Sequence, residues 1–593
     1  MSGMIHKQVN YKLENLILDI ESGKLGLPDL QRPFVWHNSK VRDLFDSMMK
    51  GYPIGFLMLW DSPYEPEKSK QIGSAEKEFV APKYLIIDGQ QRLTSLYAVM
   101  RGIEVKDAKF KSKPIVISFN PVTRAFKVGD NATKRAAEWI YNISEVYANK
   151  NNSFSYINKV VAEIEESRIK AGINLSHEEK QKIQQNITDL SALTDYPIPT
   201  LEIDEKADEE SIADIFVRVN SGGEKLNEND FILTLISVYW QEGRRQIEDF
   251  CHSATIPSTG TAFNHLIAPK PTHIVRVAMS YGFQRARLRY AYMLLRGRDF
   301  DKGIYSEEIR STQFERLKPI LTRVLNVQVW HDFIKCVEAA GFVSNKLISS
   351  ENALIYSYAL YLIGKDTYHL KESVLRQLIS KWFFMASVSG YYTDSPESAM
   401  ESDLADLRAV KTEEQFIQLL DRKIAAVFTR DFFDITLPTG SRGLASSSAN
   451  SPAWFGYCAA LNILDAKGLF SNLHTRELFS FASNGTKNAM EKHHLFPKEY
   501  LARIGITDDR ERNQIANFAF IEWSDNIGIL DASPAEYMKD QLAHIPNDER
   551  ERVYEYHALP NNWEHLEYQE FLKQRRLLMA QVIRKGFEKL EAF

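Results

Sequence analysis

The segment Glu491-Lys492-His493-His494-Leu495-Phe496-Pro497 sets two adjacent imidazoles just ahead of a proline, and Asn517 and Asn526 follow at successive spacings of 23 and 9 residues. These residue types suit phosphodiester hydrolysis. That reaction needs a base to activate water and a hard cation to steady the charge gathering on phosphorus and on the leaving oxygen. A neutral imidazole takes a proton near pH 7. A neighbouring ligand and a distant amide oxygen can hold Mg²⁺ or a similar ion while leaving positions for water and phosphate. Along an extended strand, adjacent side chains point to opposite sides, so in a regular strand the two rings cannot both face one ion. One ligand and one base is the division this suggests, and strand geometry does not say which is which. The plainer reading is a pair of surface or capping histidines before a Pro-initiated helix.

A second constellation lies near the N-terminus, at Ile86-Ile87-Asp88-Gly89-Gln90-Gln91-Arg92-Leu93-Thr94-Ser95-Leu96. The pattern predicts a buried strand ending at Asp88, a tight turn at Gly89 and a helix whose apolar face starts at Leu93. A strand, a turn and a helix N-terminus present backbone N–H groups and a positive dipole end to an anion. Gln90, Gln91 and Arg92 add side-chain donors, Arg92 being able to grip a phosphate bidentately. Asp88 could hold a metal bridging phosphates. An apolar strand followed by polar turn residues is also a common structural pattern. Two further segments accompany it. Asp29-Leu30-Gln31-Arg32-Pro33-Phe34-Val35-Trp36 precedes a predicted helix from about Asn38, a plausible cap, to Lys50. Ile215-Phe216-Val217-Arg218-Val219-Asn220-Ser221-Gly222-Gly223 reads as a strand with a glycine turn that lets backbone approach a ligand.

Around the histidines, Asn513 to Phe520 and Ser524 to Leu530 carry both asparagines at turn-like positions, and Ser533-Pro534 opens another helix as N-cap and first helical residue. Strand, loop, short segment, turn and helix is the order a ββα-metal finger requires. Upstream, residues 54–60, 83–87 and 114–119 read as short buried strands. Helical periodicity holds over about 130–195 and dominates from about 230 to 435, with turn signals near Pro257 to Gly260 and Tyr391 to Pro396. The Gly/Ser-rich stretch from Leu437 to Asn450 is the most linker-like in the chain. The expected organisation is an N-terminal domain over 1–240, a helical middle over 241–436, a linker over 437–452 and a C-terminal domain over 453–593.

At 593 residues the chain exceeds one hydrophobic core. Its 44% apolar and 25% charged content is that of a soluble globular protein, and no apolar run approaches the roughly 18 residues needed to span a bilayer, so a cytoplasmic location is expected. Cys251, Cys336 and Cys458 are scattered, which argues against a disulfide framework or a zinc knuckle. A net charge of −5 confines any nucleic-acid contact to local patches. Two segments could supply one. His273 to Arg298 mixes Arg276, Arg285, Arg287, Arg289, Arg296 and Arg298 with aromatics, and the last helix carries Lys573, Arg575, Arg576, Arg584, Lys585 and Lys589. The alternative for each is a solvated helix face.

The set QRPFVW, IDGQQRLTSL and FVRVNSGG resembles the N-terminal domain of GmrSD/BrxU-type modification-dependent restriction enzymes, and the histidine segment resembles the HNH nuclease domain at their C-terminus. The resemblance covers roughly residues 10–240 and 450–590. It implies an α+β, mostly helical protein with a ParB/sulfiredoxin-like N-terminal domain, a helical middle and a C-terminal HNH (ββα-metal) domain. It implies that His494 is the general base, that His493 and Asn526 are metal ligands and that Asn517 fixes the loop carrying the base. Asp88, Gly89, Gln90, Gln91 and Arg92, with Gln31, Arg32, Arg218 and Asn220, would bind an NTP and take part in its hydrolysis. Many relatives have Asp at the first ligand position; His493 there would shift metal preference from Mg²⁺ towards Mn²⁺, Ni²⁺ or Zn²⁺. The implied activity is Type IV restriction, the cutting of double-stranded phage or other foreign DNA bearing modified cytosine under nucleotide control. A homodimer would account for double-strand cutting. The alternatives are a ParB-like NTP-dependent DNA-binding protein with an inactive finger, a phosphorothioate-sensing enzyme and an unselective nuclease.

Overall fold

The computed structural model describes residues 6–26, 36–61, 83–106, 112–204, 240–300, 306–448, 450–471, 473–479, 490–522, 531–542 and 549–592, together with Ile232, Ile236, Ile304 and Ile545. Gln31, Arg32, Arg218, Asn220 and Asn526 lie outside the described residues. The chain is α+β and mostly helical, and it divides into two compact units, Met1–Arg244 and Arg245–Phe593.

The first unit is built on a mixed five-stranded sheet. Strands β1 (His6–Lys12), β2 (Leu25–Gly26), β3 (Leu57–Asp61) and β4 (Tyr84–Asp88) precede two short ladders, β5 (Val105–Lys106) with β6 (Ser112–Lys113) and β7 (Ile117–Asn120) with β8 (Ala125–Val128). Strand β9 (Pro197–Ile203) then returns to the large sheet, whose order is β1-β9-β3-β4-β2. Central β3 is a continuous apolar run, with Leu57, Met58, Leu59 and Trp60 all buried, as a strand covered on both faces requires. Edge strand β1 is polar and largely exposed, and its Lys and Gln side chains discourage pairing with another chain. The expected strands are thus found with shifted ends, β3 starting at Leu57 and β7 at Ile117. The expected helix over Asn38–Lys50 runs from Asn38 to Met49, but the capping position is His37, whose carbonyl accepts from Lys40 N–H at 2.8 Å. Asn38 is the first helical residue.

Among its described residues the second unit is helical apart from the antiparallel hairpin of β10 (Met490–His494) and β11 (Phe518–Glu522) and an isolated bridge between Lys467 and His474. Helix Pro452–Ile463 is apolar all round and accordingly buried all round. It packs on the C-terminal helix Tyr568–Glu591 where Gly586 lies so close that a Cβ there would stand 2.8 Å from the Ala460 Cβ. The Gly/Ser-rich stretch lies inside this unit. Leu437 and Leu444 are buried, and the Ser446 carbonyl accepts from Ile515 N–H at 2.9 Å, so the stretch is packed against the segment leading into β11. All three cysteines are buried thiols. No helix among the described residues is long and apolar enough to cross a membrane.

Burial gives this unit an acid-sensitive element. His557 is 3% exposed, with ring Nε2 2.9 Å from the Lys467 carbonyl, and burial pulls its pKa down to about 4. A histidine with a depressed folded-state pKa contributes stability that is complete above its unfolded value of 6.5 and is lost as pH falls towards 4. The full loss is about 3 kcal/mol. Urea unfolding at neutral pH and at pH ~4.5 should show wild type losing more stability on acidification than His557→Gln, by about 2–3 kcal/mol. Equal acid losses in the two proteins would refute this.

Candidate functional site

In β10 the ladder pairs His493 with Ala519 and His494 with Phe518, so the two imidazoles alternate across the hairpin. Their surroundings differ accordingly. His493 is 6% exposed, and its ring meets the Tyr537 ring edge-on at 6.3 Å between centroids. His494 is half-buried, edge-on to Phe518 at 4.8 Å, with Nε2 3.1 Å from Asn513 Oδ1. Burial lowers the His494 pKa, the Asn513 contact works against that, and the positive charges of Lys498 and Arg512 lower it further. The ring is therefore neutral at neutral pH, the state a proton acceptor needs.

Asn517 is wholly buried and acts as a staple. Its Oδ1 accepts from Phe496 N–H at 2.8 Å, while its Nδ2 donates to the carbonyls of Phe496 at 3.0 Å and Arg512 at 3.1 Å. Its own carbonyl accepts from Leu495 N–H at 2.8 Å. The turn after the histidine pair is thus bound to the segment entering β11. Asn517→Ala leaves the buried N–H and carbonyl of Phe496 without this partner and takes one of two donors from the Arg512 carbonyl, for which about 2–3 kcal/mol of destabilisation is expected. Asn517→Asp should be no better, since an oxygen would replace the amide donor facing two carbonyls. Unfolding midpoints within error of wild type would contradict the staple role.

Three supports were not anticipated from the sequence. Tyr537, on the helix Pro534–Gln541 that Ser533 and Glu536 close with a capping box, donates to the Leu495 carbonyl at 2.6 Å. Phe496 packs with Phe571 of the C-terminal helix at 4.8 Å and with Tyr568 at 5.2 Å. Arg575, 0% exposed, donates from Nη1 to the Ala516 carbonyl at 2.7 Å and from Nη2 to the His557 carbonyl at 3.3 Å. One signal for Arg575 was available: it shares a helical face with Phe571, Met579 and Val582, all buried.

The expected second metal ligand, Asn526, lies outside the described residues. Among the described residues no group of three or more His, Cys, Asp or Glu side chains gathers in a metal-binding arrangement. The donor set expected from the sequence, the His493 imidazole and the Asn526 amide oxygen, is sparse. It fits an ion that keeps most of its coordination positions for water and phosphate.

In the first unit, β4 ends at half-buried Asp88, and Gly89 at φ +88° starts the helix Gln90–Arg101. A Cβ at Gly89 would stand 2.3 Å from Leu57 Cδ2, so this turn needs glycine for both backbone conformation and space. The N–H groups of a helix's first turn point out along its axis, towards the end of β4 here. The side chains are more committed than their chemistry suggested. Gln90 is buried and donates to the Ile86 carbonyl at 2.9 Å, and Arg92 donates to the Phe56 carbonyl at 2.9 Å. Burial lowers the Arg92 pKa, against the pull of Asp88.

The two basic segments are largely engaged within the fold. Arg276 pairs with Glu397 at 2.5 Å and donates to the Tyr356 hydroxyl at 3.2 Å, and the Arg285 guanidinium stacks over Tyr290 at 4.8 Å. In the last helix Arg584 pairs with Glu588 at 2.9 Å and Arg576 donates to Gln514 Oε1 at 2.9 Å. Lys573 is exposed.

Residues 13–237 match the family model of the GmrSD restriction endonuclease N-terminal domain. An uncharacterized protein of Methanocaldococcus jannaschii is 22% identical over 563 residues, covering 89% of this chain and 86% of its own length. Through the match over its N-terminal unit the chain is similar to GmrSD-type restriction endonucleases, which supports an enzyme of the restriction-nuclease class.

Proposed function

We propose that the protein is a nucleotide-regulated, metal-dependent DNA endonuclease of the HNH type that restricts foreign DNA carrying modified cytosine. The observation that carries the reading is the β10–β11 ladder, in which a half-buried His494 stands beside a turn stapled by Asn517. His494 takes the proton of the attacking water. His493 and Asn526 hold the cation, which when bound polarises the phosphate and steadies the leaving oxygen. The stapling by Asn517, with Tyr537 and Arg575 behind it, keeps the base from drifting, and sub-ångström placement is what such catalysis requires. Asp88, Gln91 and the N–H groups that start helix Gln90–Arg101 bind the nucleotide phosphates, with Gly89 shaping the approach. Gln31, Arg32, Arg218 and Asn220 are assigned to the nucleotide by the similarity to the restriction family. Arg92, held on the Phe56 carbonyl, contributes its charge. Selectivity for modified cytosine rests on the similarity to the restriction family alone.

The test is digestion of matched genomic DNAs differing only in cytosine modification, with nucleotide and divalent metal varied independently. Cleavage confined to modified DNA and dependent on both additives is expected. Equal cutting of all substrates would point to an unselective nuclease. Nucleotide-dependent DNA binding without cutting would point to a regulatory protein with an inert finger.

A further inference from the structure

Asn513 lies 19 residues after His494, outside the histidine–asparagine pattern, yet its Oδ1 stands 3.1 Å from His494 Nε2. An amide oxygen can only accept a hydrogen bond. The neutral ring must then carry its proton on Nε2, which leaves the lone pair on Nδ1. We propose that Asn513 is a positioning residue that selects this tautomer and orients the His494 ring, so that Nδ1 is the atom receiving the proton of water. This deepens the nuclease reading and rests on it.

The contact is held from several sides, as a positioning role demands. Asn513 ends the short helix Asp509–Arg512, its N–H bonding the Asp509 carbonyl at 3.0 Å, and Asp508 caps the other end by accepting from Arg510 N–H at 2.7 Å. On one side of Asn513, the Tyr568 hydroxyl donates to the Glu511 carbonyl at 2.8 Å and Asn517 Nδ2 donates to the Arg512 carbonyl. On the other, Arg576 donates to Gln514 Oε1 and Ile515 N–H bonds Ser446. The ring is held from across the ladder by Phe518. The amide therefore sits on a backbone fixed before any substrate arrives. Partners that orient a catalytic or metal-bound imidazole in this way are worth about 10- to 100-fold in activity or affinity.

The test uses the full chain labelled with ¹⁵N-histidine, at mildly alkaline pH, without metal or DNA. Long-range ¹H–¹⁵N correlations report which ring nitrogen is protonated, and the His494 signals are those missing from His494→Gln. Wild type should show Nε2–H alone, Asn513→Ala a mixture or Nδ1–H, and Asn513→Asp, which keeps an acceptor oxygen, Nε2–H again. An Nδ1–H wild type, or a tautomer unchanged in Asn513→Ala, overturns the proposal. The wild-type spectrum and Asn513→Asp decide even if Asn513→Ala does not fold. In cleavage assays Asn513→Ala should lose about 10- to 100-fold in kcat with KM for DNA unchanged, while Asn513→Asp stays within several-fold of wild type. A loss confined to KM also overturns it. Because the tautomer is read without turnover, wild-type protein that shows Nε2–H but cuts no DNA would remove the nuclease reading and leave the tautomer assignment standing.

Discussion

His494→Ala is expected to slow DNA cleavage by about 10²- to 10⁴-fold, the range by which a positioned general base accelerates such reactions. The fold should be little affected. His494 is half-buried and packs on one ring, Phe518, whereas the hairpin is held by its ladder, by Asn517 and by the aromatic cluster around Phe496. Steady-state nicking of supercoiled modified DNA, read beside the thermal unfolding midpoint, separates the two effects. Robust cutting by a folded His494→Ala protein would remove His494 from the role of base. His493→Ala is the informative companion, since a ligand loss raises the metal concentration required and a base loss does not.

Arg575→Ala should be among the most damaging substitutions in the second unit, costing about 4–5 kcal/mol. The guanidinium is wholly buried, with its charge reached by the Phe571 ring at 5.9 Å and its donors spent on the Ala516 and His557 carbonyls. Truncation leaves both carbonyls unsatisfied and opens a cavity, two costs that add. Arg575→Met leaves the same two carbonyls unpaired but refills much of that volume, so a smaller loss of about 2–3 kcal/mol is expected. Chemical unfolding of both variants tests the ranking. Equal stability of Arg575→Ala and wild type would show that the bridge to Ala516 holds nothing. Because Ala516 precedes Asn517, cleavage by Arg575→Met should also fall, without a change in metal dependence.

Much of this was readable from residue order. The apolar run into Asp88 followed by Gly89 marked a strand, a turn and a helix, and Ser533-Pro534 marked a helix start with its cap. Local chemistry decides both. What escaped was decided by distant packing. Arg575 stands in a basic run that reads as a solvated face or a phosphate contact, and only its alignment with Phe571 and Met579 hints that it points inward. Gln90 reads as an anion donor, yet burial turns it back to the Ile86 carbonyl of the preceding strand. The Gly/Ser composition after Leu437 reads as a tether, but Leu444 and the Ser446 carbonyl fasten it beside β11. Asn513 looks like one polar residue among many in a turn, because nothing in its neighbours reports a partner 19 positions earlier.

The central claim, a cation-assisted attack of water driven by the hairpin imidazole, is tested most directly by plasmid nicking with chelated protein titrated with Mg²⁺ or Mn²⁺. The account predicts no nicking without metal, recovery as either ion is added, and for His494→Ala a rate that stays about 10²- to 10⁴-fold below wild type at every metal concentration. Nicking that persists in the chelated protein, or that never appears with any divalent ion on modified DNA with nucleotide present, would contradict it.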